Sequence, residues 1–278
     1  MTLITRLSAT FTDATLPVLR KDPVLPTSSQ TGAGDRVLYD FKNVGTWPSQ
    51  SANISASDTF FSIADKTVAG IGDGLVASVA ATYDSSTGRI STSSTSGLRL
   101  EENYDDIFSD PTADYVVSVW LSYDATGAYQ VPLEKGVTLN SNTANKSFML
   151  IYSATGTSGT QMAWHHPRAG DANSQANKLV FPSATLGTVN RYGVHWTKQS
   201  GSWQIRAVFN NNTPGNYVNM SHGTDANGIQ LNSAWKLQTV AYTMNDFARL
   251  YVENLTVSGR TAEQVWDADW ARGNGRFS

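Results

Sequence analysis

From Tyr115 to Tyr123 the chain alternates. Tyr115, Val117, Val119, Leu121 and Tyr123 fall on one side of an extended strand, with Ser118, Trp120 and Ser122 on the other. Trp203, Ile205, Ala207 and Phe209 alternate in the same way with Gln204, Arg206 and Asn210, which predicts a strand with one wet face. Tyr192, Val194 and Trp196 share a face that leaves His195 on the opposite side, whereas Phe148 to Tyr152 is continuously apolar and suits a strand covered on both sides. Turn signals at Thr126-Gly127, Gly156 to Gly159, Ser200-Gly201 and Pro214-Gly215 punctuate these runs.

A helical period emerges only near the C-terminus. After a strand at Phe247–Asn254 and a tight turn at Ser258-Gly259, Thr261 and Gln264 form a capping box. Ala262, Val265, Trp266 and Trp270 then make one apolar stripe that can dock on a sheet. Many short strands, polar turns and a late clip-like helix predict an all-β protein of two packed antiparallel sheets.

Three segments resemble the concanavalin A-like (laminin-G-like) jelly roll. They are Asp114–Tyr123, the paired Arg191–Thr197 and Ser202–Asn210 runs, and the closing strand and helix of Phe247–Trp270. The resemblance spans roughly residues 36–270 and implies a jelly-roll sandwich, which we take as residues 36–278, preceded by an extended N-terminal arm and linker over residues 1–35. The texture of the chain, Leu255–Thr261 especially, also resembles structural proteins of tailed-bacteriophage virions. That likeness implies a capsid decoration, collar or tail/fibre component, folded in the host cytoplasm and located on the virion. Its implied partners are other virion proteins and further copies of itself, as a homo-oligomer such as a trimer, and it could display a surface for a host glycan or receptor. The alternative is a free-standing carbohydrate-binding lectin module. A glycan hydrolase comes third.

The arm carries the expectation of assembly. Pro17, Pro23 and Pro26 forbid a helix and disfavour a central strand, while Leu16, Val18, Leu19, Val24 and Leu25 are apolar without a core of their own. They either wrap the same subunit or dock on a neighbour.

Composition narrows the function. Only 15% of the 278 residues are charged and the net charge is −3 without a basic cluster, so nucleic-acid binding lacks its electrostatic footprint. The absence of cysteine removes disulfides, thiolate nucleophiles and cysteine metal sites, and suits a reducing compartment. Arg6 interrupts the first apolar residues, so no signal peptide is predicted, and no apolar run is long enough for membrane insertion.

Catalytic constellations are not found, and a non-enzyme is expected. The glycanases of the resembled fold alternate their carboxylates along one strand. Here the acidic cluster Glu101, Glu102, Asp105 and Asp106 reads as a solvated loop. His165 and His166, adjacent in the chain, do not converge on a metal, and His195 is expected to be structural. Asp171, Asn173, Gln175 and Asn177 space their oxygens like the start of a calcium loop, but Ala176 and Pro182 occupy the positions where glycine and glutamate belong. A looser calcium ion at the rim, such as relatives of the fold hold, has no support in the residues. No cofactor and no metal site are expected.

Aromatic residues offer sugars a stacking surface. Of the eight tryptophans, Trp164 sits nearest a polar loop. Together with His165, His166, Arg168, Asp171 and Asn173 it makes the candidate ligand-binding loop, against the plainer reading that it packs in the core.

Overall fold

A computed structural model describes residues 22, 24–25, 36–55, 58–64, 74–77, 81–92, 97–100, 113–123, 130–136, 146–153, 161–165, 178–199, 202–219, 235–238 and 245–277. The expected arm residues Leu16, Val18 and Leu19, the loop residues His166, Arg168, Asp171 and Asn173, and the acidic cluster at 101–106 lie outside them.

Among the described residues the chain runs through β1 (Arg36–Asp40), β2 (Asn53–Ile54), β3 (Thr59–Phe61), β4 (Gly74–Ala77), β5 (Ala81–Asp84), β6 (Arg89–Thr92) and β7 (Gly97–Leu100). There follow β8 (Tyr115–Tyr123), β9 (Gln130–Gly136), β10 (Lys146–Ser153), β11 (Gln161–His165), β12 (Lys178–Val180), β13 (Asn190–Gln199) and β14 (Ser202–Phe209). The chain closes with β15 (Val218–Asn219), β16 (Trp235–Gln238), β17 (Asn245–Asn254), α1 (Leu255–Ser258) and α2 (Ala262–Gly273).

Two antiparallel sheets result. The first is ordered β15-β14-β13-β8-β17-β6-β5-β2, with β1 also paired to β17, and the second β12-β11-β10-β9-β16-β7-β4-β3. The protein is therefore an all-β, jelly-roll-like sandwich with a short C-terminal helix. Alternation explains its core. Tyr115, Val117, Val119 and Leu121 of β8, Tyr192, Val194 and Trp196 of β13, and Trp203, Ile205 and Phe209 of β14 all join one cluster between the sheets.

The first sheet is covered on its outer face as well, which the pattern of β8 left open. Val116, Ser118, Trp120 and Ser122 point away from the sandwich yet are buried. Over them lie α2, the C-terminal tail and the residues Asp22, Val24 and Leu25. Val24 and Leu25 belong to a second apolar cluster with Leu38, Val116, Val208, Tyr251 and Trp266. Arg260 fixes this segment by donating to the Val24 carbonyl at 2.6 Å and pairing with Glu253 at 2.9 Å. Val24 and Leu25 thus pack on their own chain, the first of the two alternatives left open for the arm.

One irregularity in β17 sets the outer face. The pairing with β8 slips between Phe247, opposite Leu121, and Arg249, opposite Trp120. The extra residue, Ala248, is a bulge that places Ala248 and Arg249 successively on the outer side, while Phe247, Leu250 and Val252 remain in the core. The turn expected at Ser258-Gly259 is preceded by one turn of helix, α1, capped by the Asn254 side chain and ended by Gly259 at φ 68°.

Candidate functional site

The site grows from the way α2 is held. Its capping box is present as the sequence predicts: Gln264 N–H donates to the Thr261 hydroxyl at 3.3 Å, and Thr261 N–H donates to Gln264 Oε1 at 2.9 Å. Ala262, Val265 and Trp266 are buried against the sheet. They come this close because β13 carries glycine at 193, where a Cβ would stand 2.7 Å from Trp266 Nε1 and 2.5 Å from Val208 Cγ1.

One turn further on, Asp269 pins the helix. Its Oδ2 accepts from the Ser118 hydroxyl at 2.6 Å and from Trp120 Nε1 at 2.7 Å, and its Oδ1 accepts from Arg249 Nε at 2.7 Å. Arg249, fully buried, also donates to Asp22 through both terminal nitrogens at 2.9 Å and to Asp40 at 3.0 Å. Arg272 and Arg276 add their charges at Asp22 and Asp40, so the carboxylates of Asp22, Asp40 and Asp269 face an equal number of guanidiniums. Burial alone would lower the pKa of Arg249, but Asp269, Asp22 and Asp40 outweigh it and hold the guanidinium above its ordinary value. Asp22 is likewise pushed up by burial, yet Arg249, the Val24 N–H and Arg272 bring its carboxyl below the usual range.

The C-terminal tail then turns back across the sheet. Arg89 donates through Nε at 2.9 Å and through Nη2 to the Phe277 carbonyl, and Lys42 Nζ donates to the Arg276 carbonyl at 2.9 Å. Trp270 stacks on Trp120 with ring centroids 5.4 Å apart and 20° between planes, and Phe277 lies 5.8 Å from Trp120. Gly273 permits this, because a Cβ there would lie 2.4 Å from Trp120 Cζ2.

What these elements leave open is a cleft of about 370 Å³, within the range usual for small-ligand sites. Half-buried Trp270 is its accessible aromatic, backed by Trp120 and Phe277, which are 3% and 2% exposed. Thr188, Asn190, Asn210 and Asn274 supply polar groups. The two asparagines of the β13–β14 region are aligned by each other. Asn210 Nδ2 donates to Asn190 Oδ1 at 2.9 Å, Asn190 Nδ2 donates to the Thr188 carbonyl at 2.9 Å, and Asn210 Oδ1 accepts from Arg191 N–H at 2.9 Å. Each amide therefore keeps one N–H and one oxygen lone pair for a ligand. Asn210 sits at φ 52°, a conformation that asparagine tolerates better than most side chains.

The electrostatics of the cleft are neutral. Arg89 is its charged lining residue, and that guanidinium is engaged by the Phe277 carbonyl and, at 3.8 Å, by Asp246. Among the described residues, no carboxylate lines it. Among the described residues, no group of three or more histidines, aspartates and glutamates is placed to hold a metal ion, and no helix is long and apolar enough to cross a membrane.

Trp164, the centre of the loop expected from the sequence, is 1% exposed and faces Trp196 across 6.2 Å in the core between the sheets. Burial removes its ring from contact with any ligand, a correction to its place in the candidate set. His165 ends β11, and its former companions lie outside the described residues. His195 is on the outer face, as the alternation predicts. Its Nδ1 lies 2.9 Å from the Tyr217 hydroxyl beneath Trp266. Desolvation, and then the charge of Arg206, lower its pKa to about 4, so it is a neutral structural residue.

The cleft residues Asn190, Asn210 and Asn274 carry no signal in the sequence beyond turn chemistry. Trp270 does carry one. It lies last in the stripe of α2 and is only half-buried, where Trp266 is buried completely.

No protein-family model matches the chain, and no curated protein matches its sequence. Solved structures do match the fold. The binding domain of botulinum neurotoxin DC, seen in complex with rat synaptotagmin II, aligns at 7% identity with a TM-score of 0.51 over 78% of this chain and 51% of its own. Trypanosoma rangeli sialidase aligns at 9% identity with a TM-score of 0.51 over 84% of this chain and 32% of its own. The chain thus spans about half of the first and a third of the second, and the likeness is one of fold.

Proposed function

We propose that the protein is a carbohydrate-binding, lectin-like module of the concanavalin A-like kind that holds a neutral glycan in the cleft between α2 and the ends of β13 and β14. The observation that carries this reading is the lining itself. The half-buried ring of Trp270 suits the C–H face of a sugar, and the residual donors and acceptors of Asn190 and Asn210 suit its hydroxyls. Engagement of the Arg89 charge favours an uncharged ligand. A ligand-binding domain among the matched folds accords with this reading. Attachment to a phage particle becomes secondary, because Val24 and Leu25 are occupied within this chain. Any such role would rest on the segment before them.

A neutral-glycan array followed by calorimetric titration tests the proposal. Trp270→Ala should weaken binding about ten-fold or more, equivalent to about 1.4 kcal/mol, while a melting curve shows that the domain still folds. Absence of saturable sugar binding, or binding indifferent to Trp270→Ala, would overturn the assignment.

A further inference from the structure

Two carboxamides under opposite constraints face the cleft. Asn210, half-buried, is locked: its Nδ2 donates to Asn190 Oδ1 and its Oδ1 accepts from the Arg191 N–H, each at 2.9 Å. Those bonds decide which end of the amide is nitrogen, and they leave it one N–H and one lone pair. Asn274 is exposed and caps the end of α2, where its backbone N–H donates to the Trp270 carbonyl at 2.9 Å. Its side chain has no hydrogen-bond partner among the described residues.

Beside the two amides lies an apolar corner. Val189, half-buried like Trp270, packs with it against Trp120 and Phe277, and both residues line the cleft. Gly187 and Gly275 also line it, and a Cβ at either would meet nothing within 4 Å, so open space adjoins the lining there.

No free charge accompanies these groups. Arg89 is engaged by the Phe277 carbonyl and lies 3.8 Å from Asp246, and among the described residues no carboxylate lines the cleft. A sugar acid would therefore find no unengaged cation and an amino sugar no carboxylate, and desolvating either charge without a partner is costly. A neutral hydroxyl can use the amides but leaves the apolar corner empty. An acetamido group uses both, because it carries an N–H, a C=O and a methyl group in one plane.

We infer that the cleft selects an N-acetylated hexosamine, with the acetamido methyl against Val189 and Trp270, its carbonyl accepting from Asn210 Nδ2 and its N–H donating to Asn274 Oδ1. This rests on the lectin reading and deepens it from a neutral sugar to one substituent. Asn210, held by Asn190 and Arg191, is aimed before the ligand arrives, which spares the entropy of ordering it. Asn274 can turn to meet the group once it has entered.

The test is titration of the full chain, followed by NMR, with N-acetylglucosamine, N-acetylgalactosamine and N-acetylmannosamine, each against its parent hexose. In at least one pair the N-acetyl sugar should bind about ten-fold tighter. Asn274→Ala, at an exposed position with φ −60° where folding is not at risk, or Val189→Ala should shrink that preference. Equal or weaker binding of all three N-acetyl sugars relative to their parents, or a preference unchanged in both variants, overturns the acetamido assignment and leaves the lectin reading intact. If none of these sugars binds saturably, the lectin reading itself falls.

Discussion

Asp269 and Trp270 are neighbours in α2, yet they build regions of opposite character. Asp269 faces the sheet, where its carboxylate accepts from Ser118, Trp120 and Arg249, and Arg249, Asp22, Asp40 and Asp269 are all buried, with Arg272 and Arg276 at the rim. Trp270 faces sideways into a cleft whose amides keep unused donors and acceptors. Buried polar groups that are completely satisfied fix a structure, whereas half-satisfied polar groups beside an accessible aromatic ring are free to receive a ligand. In this protein the strongest electrostatics mark the latch, and the mildly polar cleft beside it is where we propose that a ligand binds.

Breaking the latch should have the largest effect. Arg249→Leu leaves Asp22, Asp40 and Asp269 without their central partner, which should cost about 3–5 kcal/mol in urea denaturation. A loss below about 1 kcal/mol would show that the cluster does not hold α2 down.

Next in size is a pH effect beneath the first half of the same helix. His195 titrates near 4 in the folded chain and near 6.5 unfolded, so the stability it contributes is complete above the unfolded value and is lost as pH falls. Between roughly pH 7 and roughly pH 5 that loss should be about 2 kcal/mol, and it should vanish in His195→Gln. The groups facing His195 include Tyr217, Arg206, Asp114 and Glu263. An unchanged pH slope in the variant would assign the acid sensitivity to the carboxylates.

Comparable in size is the effect of Gly193→Ala. The added methyl group meets Val208 and Trp266, and overpacking should cost about 1–3 kcal/mol by thermal melting. A neutral result would mean that α2 can lift from the sheet without penalty, and the rigid wall of the cleft would have to be rethought.

Much of this framework is legible in the sequence because it is periodic and local. The alternation in β8, β13 and β14 sorts the positions between the sheets from those on the outer face, and Thr261, Gln264 and the stripe ending in Trp270 announce a capped, docking helix. The same reasoning left Trp164 between the loop and the core. Its polar loop neighbours suggested exposure, whereas its own strand position turned the ring inward. Val24 and Leu25 were equally ambiguous, since an apolar arm reads the same whether it covers its own sheet or another.

By itself, then, the sequence determined which elements form and which of their faces are apolar, because strand and helix periods depend only on residues a few positions apart. Only the tertiary structure decided what covers the outer face of the first sheet. The bulge at Ala248 turns Arg249 outward, and its partners Asp22, Asp40 and Asp269 arrive from both ends of the chain. The cleft was decided there too. Asn190 and Asn210, twenty positions apart, orient each other only once their strands are paired and α2 has brought Trp270 beside them. Charges can be buried, and amides aimed, only where distant segments converge, and no local pattern records that convergence.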